Sequence, residues 1–181
     1  MNIPNLLTSL RILLIPVFVI LFSTPTSFRS LFAAAIFFIA SITDLLDGYM
    51  ARRMDQITRI GKILDPIADK LLVSSALIML VGLQRVPAWI SLIIIGREFA
   101  VTGLRAVAAT EGIIIPSDRG GKAKMALQIF AIIILILDSE IKLIDLHKWG
   151  EIFLILSMLF SFISGGQYFI RFWRGLDSKN I

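Results

Sequence analysis

The 181-residue sequence has no cysteine, one histidine and few charged residues, which make up 17% of the chain against 57% hydrophobic residues. The absence of cysteine excludes disulfide frameworks, thiolate metal sites and cysteine nucleophiles. Soluble domains carry about 25% charged residues, and a chain of this size has too few polar residues here to cover a soluble core. The composition excludes disorder and collagen, and it predicts a polytopic membrane protein.

Six apolar stretches approach the roughly 20 residues that a helix needs to cross a bilayer. They run approximately over residues 8–23, 28–50, 62–83, 87–110, 122–138 and 150–172. Residues 3–7 form an amphipathic lead-in, which predicts a short interfacial helix before the first span. We therefore predict one all-α polytopic membrane domain over residues 1–181, with six transmembrane helices.

The basic residues indicate how such a chain is oriented, because Lys and Arg collect on the cytoplasmic side of membrane proteins. With both termini cytoplasmic, 14 of the 18 basic residues fall on that side, and only Arg29, Arg85, Lys142 and Lys148 fall on the other. The formal net charge of +5 is thus explained by topology, and no nucleic acid is expected as a partner. The predicted location is the cell membrane, multi-pass.

Four aspartates interrupt the apolar pattern where the second predicted span ends and the third begins. Asp44 and Asp47 are three residues apart, and Asp65 and Asp69 are four apart, so each pair shares one helix face. The connection between the two spans is short, which predicts antiparallel neighbouring helices and convergence of the two pairs near the cytoplasmic side.

Three interpretations of this carboxylate cluster are open from the residues alone. Charged groups in a membrane are costly, and an all-oxygen ligand set suits hard cations such as Mg²⁺ or Mn²⁺, so two divalent ions could polarise a phosphate there. The acids could instead form interfacial salt bridges with Arg52, Arg53, Lys62 or Lys70. They could also line the pathway of a small cation transporter.

The aspartates belong to a longer pattern, Asp44-x2-Asp47-Gly48-x2-Ala51-Arg52-x8-Gly61-x3-Asp65-x3-Asp69. At all eight positions over 26 residues it resembles the signature of the CDP-alcohol phosphotransferases. Softer pieces resemble the bacterial phosphatidylglycerophosphate synthase branch of that family, among them the segments 2–8, 97–99, 103–105 and 121–124, with Gln128.

The resemblance implies a six-helix, usually dimeric membrane fold whose active site opens to the cytoplasm. It implies two divalent cations, Mg²⁺ or Mn²⁺, held by Asp44, Asp47, Asp65 and Asp69, with Asp69 as general base. It also implies a CDP site lined by Gly48, Ala51, Arg52, Thr58, Gly61 and Thr8. For Gly61 taken alone, helix packing is an equally open reading.

The implied reaction joins CDP-diacylglycerol to sn-glycerol 3-phosphate and releases CMP, among membrane lipids. The same chemistry with phosphatidylglycerol or an inositol phosphate as acceptor is an open alternative. An acceptor phosphate needs cations, and the candidates from three helices at the cytoplasmic level are Arg105, Lys122, Lys124 and Arg171. Basic residues at cytoplasmic helix ends also serve as topology determinants and headgroup anchors. Arg105 is the best candidate because it lies within an apolar span.

Overall fold

A computed structural model describes the backbone of residues 3–53, 59–112, 119–138 and 145–177. It describes the side chains of residues 6–43, 66–112, 124–138 and 145–174. Across these ranges the chain forms six helices and no strand. They are α1 (Ile3–Ser23), α2 (Ser27–Arg53), α3 (Arg59–Gly82), α4 (Ala88–Thr110), α5 (Arg119–Ile136) and α6 (Leu146–Asp177).

The all-helical class predicted from the apolar stretches is confirmed, with one helix for each stretch. The separate interfacial helix is not found, since α1 begins at Ile3 and runs unbroken through Pro16 to Ser23. Among the described residues, two helical stretches, Leu6–Ser23 and Leu146–Arg174, are long and apolar enough to cross a membrane. Ser27–Thr43 and Lys124–Ile136 are shorter apolar helices.

The helices pack as a bundle with a continuous apolar core. α5 lies against α6, α2 and α3, while α4 bridges α3 and α6. Three fully buried phenylalanines link α1 to α2, because the Phe18 ring centroid lies 5.7 Å from that of Phe22 and 5.9 Å from that of Phe37. Leu72, Ile90, Ile132 and Leu154 bring the other four helices into the same cluster.

The outer surface of this bundle is also apolar. Large hydrophobic side chains on several helices are mostly exposed, for example Ile20 at 70%, Leu92 at 73% and Phe162 at 71%. Soluble monomers rarely expose large apolar patches, so this many exposed large hydrophobic side chains on one small chain is unusual for them. The exposed residues therefore fit a lipid environment.

Arg85 joins the turn between α3 and α4 to two other helices, α5 and α1. Gln84 has a φ of 59°, and the Arg85 amide donates to the Leu80 carbonyl at 2.9 Å, which closes α3 in a Schellman motif. The Arg85 guanidinium donates to the carbonyls of Leu135 and Ile136 at 2.9 and 2.8 Å. It also lies 5.6 Å from the Phe22 ring centroid. One arginine thus connects α3, α5 and α1. We call Arg85 with its partners Leu80, Leu135, Ile136 and Phe22 the Arg85 bracket.

The α5–α6 contact depends on a glycine. A Cβ added at Gly150 would lie 2.6 Å from Leu135 Cγ, so an alanine there would force the buried Leu135 side chain or the two helices to shift. We expect Gly150→Ala to destabilise the protein by about 1–3 kcal/mol, as overpacking does. The measurement is thermal unfolding in detergent.

Gly166→Ala on the same helix is the matched control. Nothing lies within 4 Å of a Cβ added at Gly166, so its expected effect is zero or a gain of up to about 1 kcal/mol from helix propensity. Equal unfolding temperatures for the two variants would show that the close α5–α6 approach is not required.

Candidate active site

A cavity of about 240 Å³ opens between α3, α4, α5 and α6, at the end of the bundle opposite the Arg85 bracket. Among the residues whose side chains are described, the charged ones that line it are Asp69, Lys70, Arg97, Glu98, Arg105 and Lys124. Its neutral polar lining includes Ser74, Thr102, Gln128, Ser164 and Tyr168. This is where the described structure concentrates ionisable groups within apolar helices, and such groups in a membrane protein indicate a functional site.

Arg97 is held rigidly between α4 and α6. Its Nε donates to the Ser161 carbonyl at 2.8 Å, and the side chain crosses α6 at Gly165, where an added Cβ would lie 3.3 Å from that nitrogen. The absence of a side chain at Gly165 allows this approach. Arg97 is therefore a fixed positive charge in the cavity wall.

Glu98 contacts two cations that come from different helices. Its Oε1 accepts from Arg97 Nη1 at 2.9 Å, and it also pairs with Lys124 Nζ of α5. The side chains are little exposed, at 14% for Arg97, 20% for Glu98 and 6% for Lys124. Because a buried ion pair is costly to break by removing one partner, this triad links α4 to α5 across the cavity.

Arg105 stands two turns further along α4, at the rim of the cavity. Its guanidinium carbon lies 5.5 Å from the ring centroid of Tyr168, which is buried against Ala108. A cation–π contact of this kind orients an arginine without using up its N–H donors. The arginine fork is therefore available to an anion, for which bidentate binding is favoured.

The described lining of the cavity carries an excess of positive charge. Among the residues whose side chains the structure describes, four basic and two acidic ones line it, which leaves two positive charges uncompensated when all six are ionised. A dianion entering the cavity would balance that excess. A phosphate monoester is such a dianion, and its oxygens match the arginine and lysine donors.

The structure brings together two of the four residues predicted to bind an acceptor phosphate. Arg105 and Lys124 line the cavity from α4 and α5. Arg171 is exposed on α6 and does not line it. Lys122 lies in the first turn of α5, but its side chain is outside the described residues.

The four aspartates lie on two helices that contact each other. Asp44 and Asp47 are on α2, and Asp65 and Asp69 are on α3. Both helices run without a break through their pair, so the spacings of three and four keep each pair on one side of its helix. Asp69 lines the cavity, while the side chains of the other three lie outside the described residues.

The donor chemistry fits a divalent metal site. Among the described residues that line the cavity there is no histidine, and the chain's one histidine, His147, lies 3.2 Å from Asp138 near the other end of the bundle. Carboxylates without imidazole or thiolate suit Mg²⁺ or Mn²⁺. The described side chains alone contain no group of three metal-ligating residues, and three of the four signature aspartates fall outside them.

The predicted nucleotide-binding residues are mostly outside what the structure describes. Gly48, Ala51 and Arg52 lie in the last two turns of α2 and Gly61 in the first turn of α3, without described side-chain surroundings. Thr58 lies outside the described residues altogether. Thr8 is fully buried in α1.

Several cavity residues were not predicted as functional from the sequence. Glu98 carried a usable signal, because an acid within an apolar helix requires a partner. Ser164 is buried and carried none, since single polar residues are common in helix contacts. Gln128 is also buried, and the sequence marks it only as a part of the family resemblance. Tyr168 near a span end is typical of an interfacial aromatic, and only the packing shows it beneath Arg105.

Most of the chain is similar to a known protein family and to several named proteins. The family model described as CDP-alcohol phosphatidyltransferase matches residues 1–163. A CDP-diacylglycerol–glycerol-3-phosphate 3-phosphatidyltransferase of Bacillus subtilis is 40% identical to this chain over 191 aligned positions, covering 99% of each chain. A protein of the same name from Rickettsia typhi is 44% identical, over 93% of this chain and 95% of the relative. Another from Pseudomonas fluorescens is 45% identical, over 75% of this chain and 72% of the relative.

Proposed function

The chain belongs to the CDP-alcohol phosphatidyltransferase family, and on that premise we propose that it transfers the phosphatidyl group of CDP-diacylglycerol to sn-glycerol 3-phosphate. The products are phosphatidylglycerophosphate and CMP. Relatives over nearly the full length carry this activity in their names. The observation that supports it best is the cavity in which Asp69 lies with Arg105 and Lys124, because the described lining of that cavity combines a carboxylate with an excess of two positive charges.

Arg105 and Lys124 are proposed to hold the acceptor phosphate, with Arg97 as a fixed positive charge behind them. An alcohol of the acceptor then attacks the diacylglycerol-linked phosphorus of the CDP-lipid. A new phosphorus–oxygen bond forms, the pyrophosphate bond breaks, and CMP leaves. Asp69 accepts the proton of the attacking hydroxyl, a role that needs a carboxylate within hydrogen-bond reach of the acceptor. Lys122 and Arg171 are proposed as weaker contributors.

Asp44, Asp47, Asp65 and Asp69 are the residues proposed to hold two divalent cations. When bound, such cations supply charge neutralisation on the pyrophosphate oxygens. Gly48, Ala51, Arg52 and Gly61, with Thr58 and Thr8, are proposed to line the CDP site. Chelation should therefore abolish CMP release, and Mg²⁺ or Mn²⁺ should restore it. Full activity after exhaustive chelation would overturn this assignment.

We further propose six membrane spans with both termini cytoplasmic, and a homodimer among membrane lipids. The exposed apolar side chains on the bundle support the spans. The cavity lies at the end of the bundle where the predicted cytoplasmic basic residues collect, including Lys70, Arg97, Arg105 and Lys124. A cytoplasmic opening would admit soluble acceptor and release CMP into the cytoplasm.

Single-cysteine labelling tests this topology cleanly, because the chain has no cysteine of its own. Thr26, in the α1–α2 turn, should react in the variant Thr26→Cys with an impermeant maleimide added to intact cells. Gly112, just after α4, should react in Gly112→Cys only after the membrane is permeabilised. The opposite pattern would invert the proposed orientation.

The reaction is tested with purified protein, Mn²⁺, CDP-diacylglycerol and labelled glycerol 3-phosphate. The expected result is CMP release together with a labelled lipid. Release of CMP only with phosphatidylglycerol or an inositol phosphate would show that this alcohol, and not glycerol 3-phosphate, is the acceptor. No CMP release with any of these alcohols would overturn the proposed function.

A further inference from the structure

We propose that Glu98 is the counter-anion of Lys124 in the cavity. Glu98 pairs with Lys124 when no acceptor is bound, and Lys124 turns from Glu98 to the acceptor phosphate when the acceptor binds. This inference deepens the proposed function and rests on it for the identity of the acceptor. Glu98 would thereby set the affinity for a phosphate-bearing acceptor without touching the reacting atoms.

The contacts of Lys124 are the first support for this exchange. Its side chain is buried and pairs with Glu98, while Lys124 also lines the cavity together with Arg105. A lysine in such a place needs an anion, because burying an unpaired ammonium group is costly. In the empty site the Glu98 carboxylate is that anion, and an entering phosphate offers a stronger one.

The second support is that Glu98 has another partner to retain. Arg97 Nη1 donates to its Oε1 at 2.9 Å, and Arg97 is itself anchored to the Ser161 carbonyl. A carboxylate released by Lys124 therefore keeps a fixed cation beside it and is not left unpaired. Lys124 has several rotatable bonds and three donors, so it can turn from the carboxylate to a phosphate in the same cavity.

The sign of the effect follows from charge. In the bound state the Glu98 carboxylate and the phosphate are anions that share a small cavity, so they repel each other. In the absence of phosphate, Glu98 stabilises Lys124, which makes the free energy of phosphate binding less favourable. Both effects weaken phosphate binding, and removal of the negative charge should strengthen it.

The first experiment measures the Kd of inorganic phosphate by calorimetry on the purified protein in detergent. For Glu98→Gln we expect a Kd about threefold to tenfold lower than wild type. Glu151→Gln, on α6 near the opposite end of the bundle, is the matched control with an unchanged Kd. An unchanged or higher Kd in Glu98→Gln overturns the proposal.

A double-mutant cycle separates exchange of Lys124 from simple repulsion. In a Lys124→Gln background, the gain in phosphate affinity from Glu98→Gln should fall below about twofold, because no lysine remains for which Glu98 and phosphate compete. An equal gain in both backgrounds would show that Glu98 acts only by repulsion at a distance, which overturns the exchange.

A third measurement uses only wild-type protein, in case the Glu98 variants do not fold. The chain has four glutamates, and phosphate added to ¹³C-glutamate-labelled protein should shift the infrared carboxylate stretch of one of them. No shift at saturating phosphate overturns the proposal. Phosphate binding is measured without turnover, so failure of CMP release and failure of the Glu98 exchange are separate results.

Discussion

Asp69→Asn is expected to reduce kcat by about 10²–10⁴-fold, the range that general-base catalysis contributes, while the enzyme largely keeps its affinity for CDP-diacylglycerol. Asparagine has nearly the same shape but cannot accept the proton of the attacking hydroxyl. Asp69 lines the same cavity as Arg105 and Lys124, which places it beside the proposed acceptor. The measurement is CMP release at saturating substrates together with binding of the CDP-lipid.

The matched control is Asp145→Asn, because Asp145 accepts from the Lys148 amide at 3.2 Å at the start of α6, remote from the cavity. Asparagine caps helices as well as aspartate does, so full activity is expected. An equal loss of turnover and of CDP-lipid binding in Asp69→Asn would assign Asp69 to substrate binding and exclude it as the base.

Arg105→Ala is expected to raise the KM for glycerol 3-phosphate by about 10- to 100-fold, since a hydrogen bond to a charged group contributes about 1.5–3 kcal/mol. The KM for CDP-diacylglycerol should change little. The effect is large because Tyr168 orients the guanidinium without using its donors. Steady-state kinetics with each substrate varied in turn separates the two constants.

Arg171→Ala provides the sharpest comparison with Arg105→Ala. The sequence favours both as phosphate ligands, but the structure places only Arg105 at the cavity, so we expect a KM change below about threefold for Arg171→Ala, as for exposed charges. Equal effects of the two substitutions would contradict the assignment of the phosphate to this cavity. Unchanged kinetics in Arg105→Ala would leave that arginine as a topology determinant.

The helix count and the aspartate spacing were predictable because both depend on residues close together in the chain. Apolar stretches of membrane length predict helices directly, and a spacing of three or four predicts a shared helix face. The prediction divides the run from Ile3 to Ser23 because residues 3–7 are amphipathic, which is typical of an interfacial segment. The helix itself is continuous, since an amphipathic pattern does not prevent helical hydrogen bonds.

Contacts between distant residues were not predictable in the same way. Glu98 and Lys124 are 26 residues apart, and nothing in the sequence specifies that α4 and α5 bring them together. The sequence favours Arg105 over Arg171 only by its place within an apolar span, and it does not specify which of them lines a cavity. That depends on how the helices pack, including details such as the passage of Arg97 over Gly165.

The Arg85 bracket has a consequence for how the bundle can move. It ties the α3–α4 turn to the end of α5 and to α1, at the end remote from the cavity. Helices pinned at one end can separate only by pivoting there, so their displacement grows toward the other end. We therefore expect the entry of a two-chain lipid to separate the helices least beside Arg85 and most around the cavity. Amide hydrogen exchange should accordingly be smallest beside Arg85 and largest around the cavity.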